Sequence, residues 1–356
     1  MDKQKKIAIA CQGGGSHTAF AAGVLTRLLE EGIDERYQLV GLSGTSGGAI
    51  CATAAWYGLL KKAWGAREKP YHWLVKFWEE NSAQLFWEQY LNMAIVWTAR
   101  LQNHGIIAAV AIDPDYTQCL VSFLEAFLPR QEYLNLKRIL EKNINFEELE
   151  QLVISSSPRL LLGAVEVLSG EFKTFDSDKK EITTAAIMAS AGIPTIFQAI
   201  KIGNGVYWDG LFSQNPPISV FVEEANIEKR PDEIWIIQIN PKTCYKKPTT
   251  AQAIIGRRDE LTGNLSLLQE IKFINTINAI IEKGYLNPEY AGLYKKIDIR
   301  WISMDSRLAS EIDYASKLDR SQQFITKLME HGKSQANTFL QLLEQEPVLV
   351  SKATQS

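Results

Sequence analysis

The sequence predicts an α/β fold built on a mostly parallel, doubly wound sheet. Three stretches carry that expectation. Residues 6–11, KIAIAC, are a short apolar run that passes through a glycine-rich turn into a helix-compatible segment. Residues 37–40 lead in the same way through Gly41-Leu42-Ser43-Gly44-Thr45-Ser46-Gly47-Gly48 into Ala49 to Ala55. Residues 233–239, EIWIIQI, and 296–304 are late apolar runs of strand length. Repeated strand–turn–helix units point to a parallel sheet with covering helices. At 356 residues the chain can bury one large α/β domain or two small ones.

Composition narrows the function. Apolar residues make up 46% and charged residues 22%, as in an ordinary globular protein. Net charge is −3, and no basic run extends beyond Lys3-Gln4-Lys5-Lys6, so no nucleic-acid partner is expected. Cys11, Cys51, Cys119 and Cys244 are widely spaced with no C-x-x-C pair, which reads as reduced thiols rather than a zinc site. The apolar run Ile7 to Cys11 is too short for a signal peptide, and Leu91 to Ile112 is interrupted by Arg100 and His104. The expectation is a cytoplasmic protein that meets a membrane, if at all, only at its periphery. Oligomeric state is not legible.

In chain order, Gln12-Gly13-Gly14-Gly15-Ser16-His17 turns between the first strand and a helix through Glu30. Consecutive N–H groups in such a turn, aided by the helix dipole, make an anion cradle. A dinucleotide fingerprint competes, but its third glycine and its acidic residue about twenty positions on are not convincingly present, although Glu35 is near. An oxyanion hole fits better, because a doubly wound sheet opens this turn and the one at Ser46 at the same carboxyl edge. Six of the nine tryptophans fall between Trp56 and Trp97. Residues 56–112 are expected either to fill helix–helix contacts or to form a helical cap whose aromatics meet acyl chains or a lipid surface.

Residues 113–158 read as largely amphipathic helix. Residues 159–167, RLLLGAVEV, read as a strand that returns across Ser169-Gly170-Glu171 as Phe172-Lys173-Thr174-Phe175. Thr183 to Gly192 is a small-residue helix ended by Pro194. A second hairpin around Gly203-Asn204-Gly205 delivers Tyr207-Trp208-Asp209-Gly210, and Asn215-Pro216-Pro217 opens a helix through Ala225. Leu261 to Leu268 precedes a helix to about Ile281, and a final helix is expected from about Leu308 to Leu343. The tail after Glu346 is expected to fray.

The chemistry centres on G-x-S-x-G at Gly44 to Gly48, set between strand and helix as a nucleophile elbow requires. Gly44 and Gly48 let the backbone pass its neighbours in a strained turn, and Ser46 Oγ stands clear beside the new helix's N–H groups. An activated serine needs a base within hydrogen-bond reach. His17, His72, His104 and His331 sit in helix or loop with no motif about them. Asp209, followed by Gly210 after a hairpin strand, can take the serine proton directly if its strand lies beside that of Ser46. A carboxylate with a pKa of about 4 is a weak base, so such a dyad needs burial and an oxyanion hole that carries much of the barrier. A triad in the order Ser46…Asp209…His331 is the alternative. It is disfavoured because a nucleophile at position 46 leaves too few strands before it.

Gly13-Gly14-Gly15-Ser16-His17, Gly44-Thr45-Ser46-Gly47-Gly48, Ala189-Ser190-Ala191-Gly192-Ile193-Pro194 and Asp209-Gly210 together resemble the patatin-like phospholipases in order and spacing. The Ser169-Gly170-Glu171 hairpin before Phe175 and the stretch Arg258 to Leu267 are also similar. The resemblance spans about residues 5–305 as one domain, leaving 306–345 as a C-terminal helix packed on it and 346–356 as a flexible tail. It implies a three-layer α/β/α sandwich, Ser46 as nucleophile, Asp209 as base, and Gly13, Gly14, Gly15 and Gly47 around the oxyanion hole. The implied activity is release of fatty acid from a phospholipid or neutral lipid ester, with no metal and no cofactor. Acyl transfer to an acceptor other than water, and a lipid-binding protein that kept the fold without the chemistry, are the alternatives. Two departures stand out. The family usually has Arg or Lys then Gly where this chain has His17-Thr18, and Gly or Ala where it has Leu211. The first removes a fixed cation from the turn, and the histidine itself is a candidate donor to the oxyanion.

Overall fold

The computed structural model describes residues 4–107, 130–192, 198–224, 226–240, 242–244, 247–287, 289 and 293–353. Eight strands form one sheet: β1 (Lys6–Cys11), β2 (Gln38–Gly44), β3 (Arg159–Glu166), β4 (Phe172–Asp176), β5 (Ile200–Ile202), β6 (Gly205–Asp209), β7 (Glu233–Gln238) and β8 (Asp298–Ser303). Pairing runs β5-β6-β3-β2-β1-β7-β8, with β4 on β3 outside that path. β1, β2, β3, β7 and β8 are parallel, while β4 and β6 run antiparallel to β3. Central β1 and β7 are buried along their whole length, which is why both read as nearly unbroken apolar runs.

The longer helices are α1 (Ala19–Glu30), α2 (Gly47–Ala63), α3 (His72–Asn81), α4 (Phe86–Asn103), α5 (Leu136–Asn143), α6 (Thr184–Ala191), α7 (Ala251–Glu282) and α8 (Gln322–Ala353). They cover both faces of the sheet. Alternate residues of β1 divide between two cores: Ile7, Ile9 and Cys11 pack with residues of α1, α2 and α8, and Ala8 and Ala10 pack with β7 and with Leu267 and Ile271 of α7. This is the expected α/β/α arrangement. Helices α1 and α8 approach so closely that a Cβ on Gly332 would strike the Phe20 carbonyl oxygen. Among the described residues, no helix is long and apolar enough to cross a membrane.

Both hairpins form as the turn chemistry predicts, and Thr183 caps α6 by accepting from Ala186 N–H. Other expectations shift. Leu261 to Leu268 does not precede a helix but lies inside α7, which starts at Ala251 under a Thr250 cap. Gly263 sits there with its bare face against the Leu211 and Asn215 side chains. The single final helix is instead a short turn at Ser306–Glu311, a 3-10 turn at Ala315–Leu318, and α8. Asp313 and Asp319 break it by accepting from Ser316 N–H and Ser321 N–H, local bonds that compete with helix. After Pro217 only Val220–Glu223 of the expected helix is helical among the described residues, and Glu270 accepts from the Ile218 and Ser219 N–H groups at its start. Trp56 and Trp78 are core residues, and Trp73 packs against them. The helix expected over 113–158 lies partly outside the described residues, as do Pro194 and Ala225; within the rest, α5 forms.

Candidate active site

The register of β3 explains how residues far apart in sequence meet. Gly44 of β2 pairs with Leu162, and Asp209 of β6 pairs with Ala164. β4 pairs with residues 161–165 and so occupies the opposite edge from both β2 and β6. A strand has two edges only, so β2 and β6 share one, entering from opposite ends and stopping on either side of Gly163. The Asp209 strand therefore lies end to end with the Ser46 strand, not beside it. Gly163 is the pivot of this meeting: a Cβ there would fall 2.5 Å from Thr45 Oγ1 and 2.7 Å from the Gln214 carbonyl oxygen.

At its end β2 turns sharply into α2. Ser46 sits at the bend with φ 57° and ψ −134°, a left-handed conformation that costs a non-glycine residue energy. Its N–H donates to the Ser190 carbonyl at 3.0 Å, and Ser190 Oγ donates to the Gly163 carbonyl at 2.7 Å. The bend is thus held from α6. A Cβ on Gly48 would strike the Cys11 carbonyl and one on Gly44 the Gly48 carbonyl, so both elbow glycines are required by close approach.

The Ser46 hydroxyl is close enough to Asp209 to oppose the rise in its pKa, but Asp209 Oδ2 makes no hydrogen bond. Oδ1 accepts from Leu211 N–H at 2.8 Å. Contacts of this kind in an unliganded site tighten once substrate is bound. Asp209 is 1% exposed, and burial pushes its pKa from 3.8 up to about 7, against the opposing pull of the Ser46 hydroxyl and Leu211 N–H. A Cβ on Gly210 would fall 2.5 Å from the Gly163 carbonyl oxygen, so the residue after the aspartate must also be small.

The triple-glycine turn faces the same spot. A Cβ on Gly13 would fall 2.7 Å from Ser46 Cβ and 2.5 Å from the Thr45 carbonyl oxygen. Gly13 N–H, however, donates to Asn215 Oδ1 at 2.7 Å. Gly13 therefore offers closeness to the serine rather than an open N–H. Gln12 braces the turn: its Oε1 accepts from Ile239 and Asn240 N–H, and its Nε2 donates to Asn264 Oδ1.

The histidines stand apart from this chemistry. His17 Nε2 lies 2.7 Å from Ser316 Oγ. Burial, with the Lys317 charge nearby, holds its pKa well below the usual value and keeps it neutral. His331, on α8, accepts at Nε2 from Asp305 N–H and lies near the Phe20 ring, so it joins neither Ser46 nor Asp209. Sequence reasoning missed Asn215, Ser190, Gln12 and Asn240. Asn215 next to proline and Ser190 in a small-residue helix carry no local signal of the backbone groups they hold. A cavity of about 570 Å³ opens at the other end of the sheet between Gln38, Trp56 and Arg159, remote from the serine.

The Patatin-like phospholipase family model matches residues 9–222, which includes Gly13 to Gly15, Ser46 and Asp209. No curated protein matches the chain significantly. Among solved structures the chain is similar to VipD from Legionella pneumophila, with 13% identity, a TM-score of 0.41, and coverage of 95% of this chain and 67% of that one. It is also similar to the type III effector protein ExoU, with 11% identity and a TM-score of 0.28, over 92% of this chain but about half (53%) of ExoU's length. Both likenesses are remote, so the assignment stands on the sequence match, which covers well over half of the chain: the protein belongs to the patatin-like phospholipase family.

Proposed function

We propose that the protein hydrolyses lipid acyl esters with a Ser46–Asp209 dyad. The observation that carries this reading is the end-to-end meeting of β2 and β6, with Ser46 just past the end of one strand and, at the end of the other, the buried Asp209, whose pKa is pushed up to about 7. Ser46 Oγ attacks the ester carbonyl carbon as Asp209 accepts its proton. The tetrahedral oxygen takes its negative charge within reach of the Gly14 and Gly15 N–H groups of the glycine turn and of the Gly47 N–H at the start of α2. Collapse returns the proton from Asp209 to the leaving alcohol and leaves the acyl group on Ser46. Water, deprotonated by Asp209, then attacks the acyl-enzyme; the bond from the acyl carbon to Ser46 Oγ breaks, Asp209 returns the proton to Oγ, and the fatty acid leaves.

Contact with a lipid surface belongs to this reading. Helix α4 buries its polar Glu88 and Asn92, held by Arg130 and by Asp319 and Arg320. Its outward stripe is Phe86, Tyr90, Met93 and Trp97, which are 84%, 63%, 48% and 57% exposed. An amphipathic helix turned with its apolar side to solvent suits a membrane interface.

The test is incubation with a mixed lipid extract, read by mass spectrometry for the lipid consumed and the acid formed, alongside Ser46→Ala. A fluorophosphonate probe is expected to label the wild type and not the variant. Turnover retained by Ser46→Ala would overturn the dyad, and an acyl ester of an added alcohol in place of free acid would make the enzyme a transferase.

A further inference from the structure

A cation stands over the triple-glycine turn from outside the family match. The 3-10 turn Ala315–Leu318 is pressed onto Gly15, where a Cβ would fall 2.5 Å from the Lys317 carbonyl oxygen and 3.2 Å from Lys317 Cβ. The Lys317 ammonium lies 3.3 Å from Asn240 Oδ1 and 5.5 Å from the Tyr314 ring centroid. Asn240 in turn donates from Nδ2 to the Gly13 carbonyl oxygen at 3.2 Å. The charge is therefore one side chain away from the turn that packs on Ser46. Its partners are an amide oxygen and an aromatic face, both neutral. Asp259 and Glu260 act on it only from a distance, and each already pairs with an arginine, Arg258 at 3.2 Å and Arg257 at 3.0 Å. Burial lowers its pKa, as expected for a cation whose surroundings do not neutralise it.

A glycine-rich anion cradle with an ammonium beside it and, among the described residues, no carboxylate paired to that ammonium is arranged for an anion supplied from outside. His17, neutral and turned to Ser316, does not fill that role. We propose that Lys317 receives the phosphate of an anionic acyl ester while its carbonyl carbon lies at Ser46, making Lys317 a specificity-determining residue. This rests on the acyl-hydrolase reading above.

The experiment compares wild type, Lys317→Met and Lys317→Arg on two monomeric butyryl esters, dibutyryl-phosphatidylglycerol and neutral p-nitrophenyl butyrate, with fluorophosphonate labelling of Ser46 in parallel. One charge-assisted contact corresponds to roughly a ten- to hundredfold change. Lys317→Met is expected to lower the phosphatidylglycerol-to-neutral ratio of kcat/KM by that factor, and Lys317→Arg to restore most of it. Equal loss on both esters, an unchanged ratio, or no rescue by arginine overturns the proposal. Absence of turnover and labelling in the wild type sinks the hydrolase reading instead. Should Lys317→Met fail to fold, the wild type decides: butyl phosphate must inhibit neutral-ester hydrolysis where butanol does not. Inhibition by inorganic phosphate with an unchanged ester ratio would assign the ammonium to a free anion and overturn the substrate role.

Discussion

Asp209 is one buried carboxylate with two consequences for pH. Its pKa in the fold, about 7, is above the value of about 4 that it takes when unfolded. For activity the ionised form is the base, so kcat/KM on a neutral ester should rise with pH through a limb near 7 and level off above it. A limb near 4 would mean that the carboxylate is solvated in the working enzyme. For stability the sign is opposite. A raised pKa means the native state holds its proton more tightly, so the stabilisation is complete below about pH 4 and is lost as pH climbs through 7. Asp209→Asn, which removes the charge but keeps the shape, should therefore melt higher than wild type at pH 8 while losing activity on the order of a thousandfold. Thermal melts at pH 4 and pH 8 check the first half and initial rates the second.

Two glycines separate packing from chemistry at the level of elements. Gly163 is where β2 and β6 converge on β3, and Gly332 is where α8 crosses α1. An added methyl meets main-chain atoms at both, so each Gly→Ala variant should cost about 1–3 kcal/mol of stability. Only Gly163→Ala moves the two strand ends that carry Ser46 and Asp209. Its fluorophosphonate labelling should slow at a temperature where it is fully folded, whereas folded Gly332→Ala should label at the wild-type rate. Equal labelling by both would mean that the strand junction does not position the pair.

Across the molecule, the sequence beyond the family match completes the protein. β7 fills the second edge of central β1, α7 covers one face, and α8 seals α1 on the other. The same C-terminal region reaches the site through Lys317 and Ser316 and packs on α4, whose outer stripe is apolar. Replacing Phe86, Tyr90 and Trp97 together by serine should reduce hydrolysis of vesicle lipid about tenfold or more while sparing a soluble short-chain ester, since exposed side chains contribute little to folding. Parallel loss on both substrates would place these aromatics in packing. Trp73 and Trp78, prominent in the sequence, are unsuitable for this test because they belong to the core.

What the sequence determined by itself was local. Strand length, glycine-rich turns and the G-x-S-x-G elbow are set by neighbouring residues, so the parallel α/β core, both hairpins, and Ser46 and Asp209 as candidates were legible without coordinates. Long-range geometry was not. That β2 and β6 stop head to head on one edge of β3 depends on the register of strands more than a hundred residues apart, which no local pattern encodes. Nor could turn chemistry reveal that Asn215 occupies the Gly13 N–H, that Gly263 lies inside a helix against Leu211 and Asn215, or that His17 turns to Ser316 while the Lys317 ammonium lies beside Asn240. Those outcomes follow from which groups burial forces into contact, and only the tertiary structure decides that.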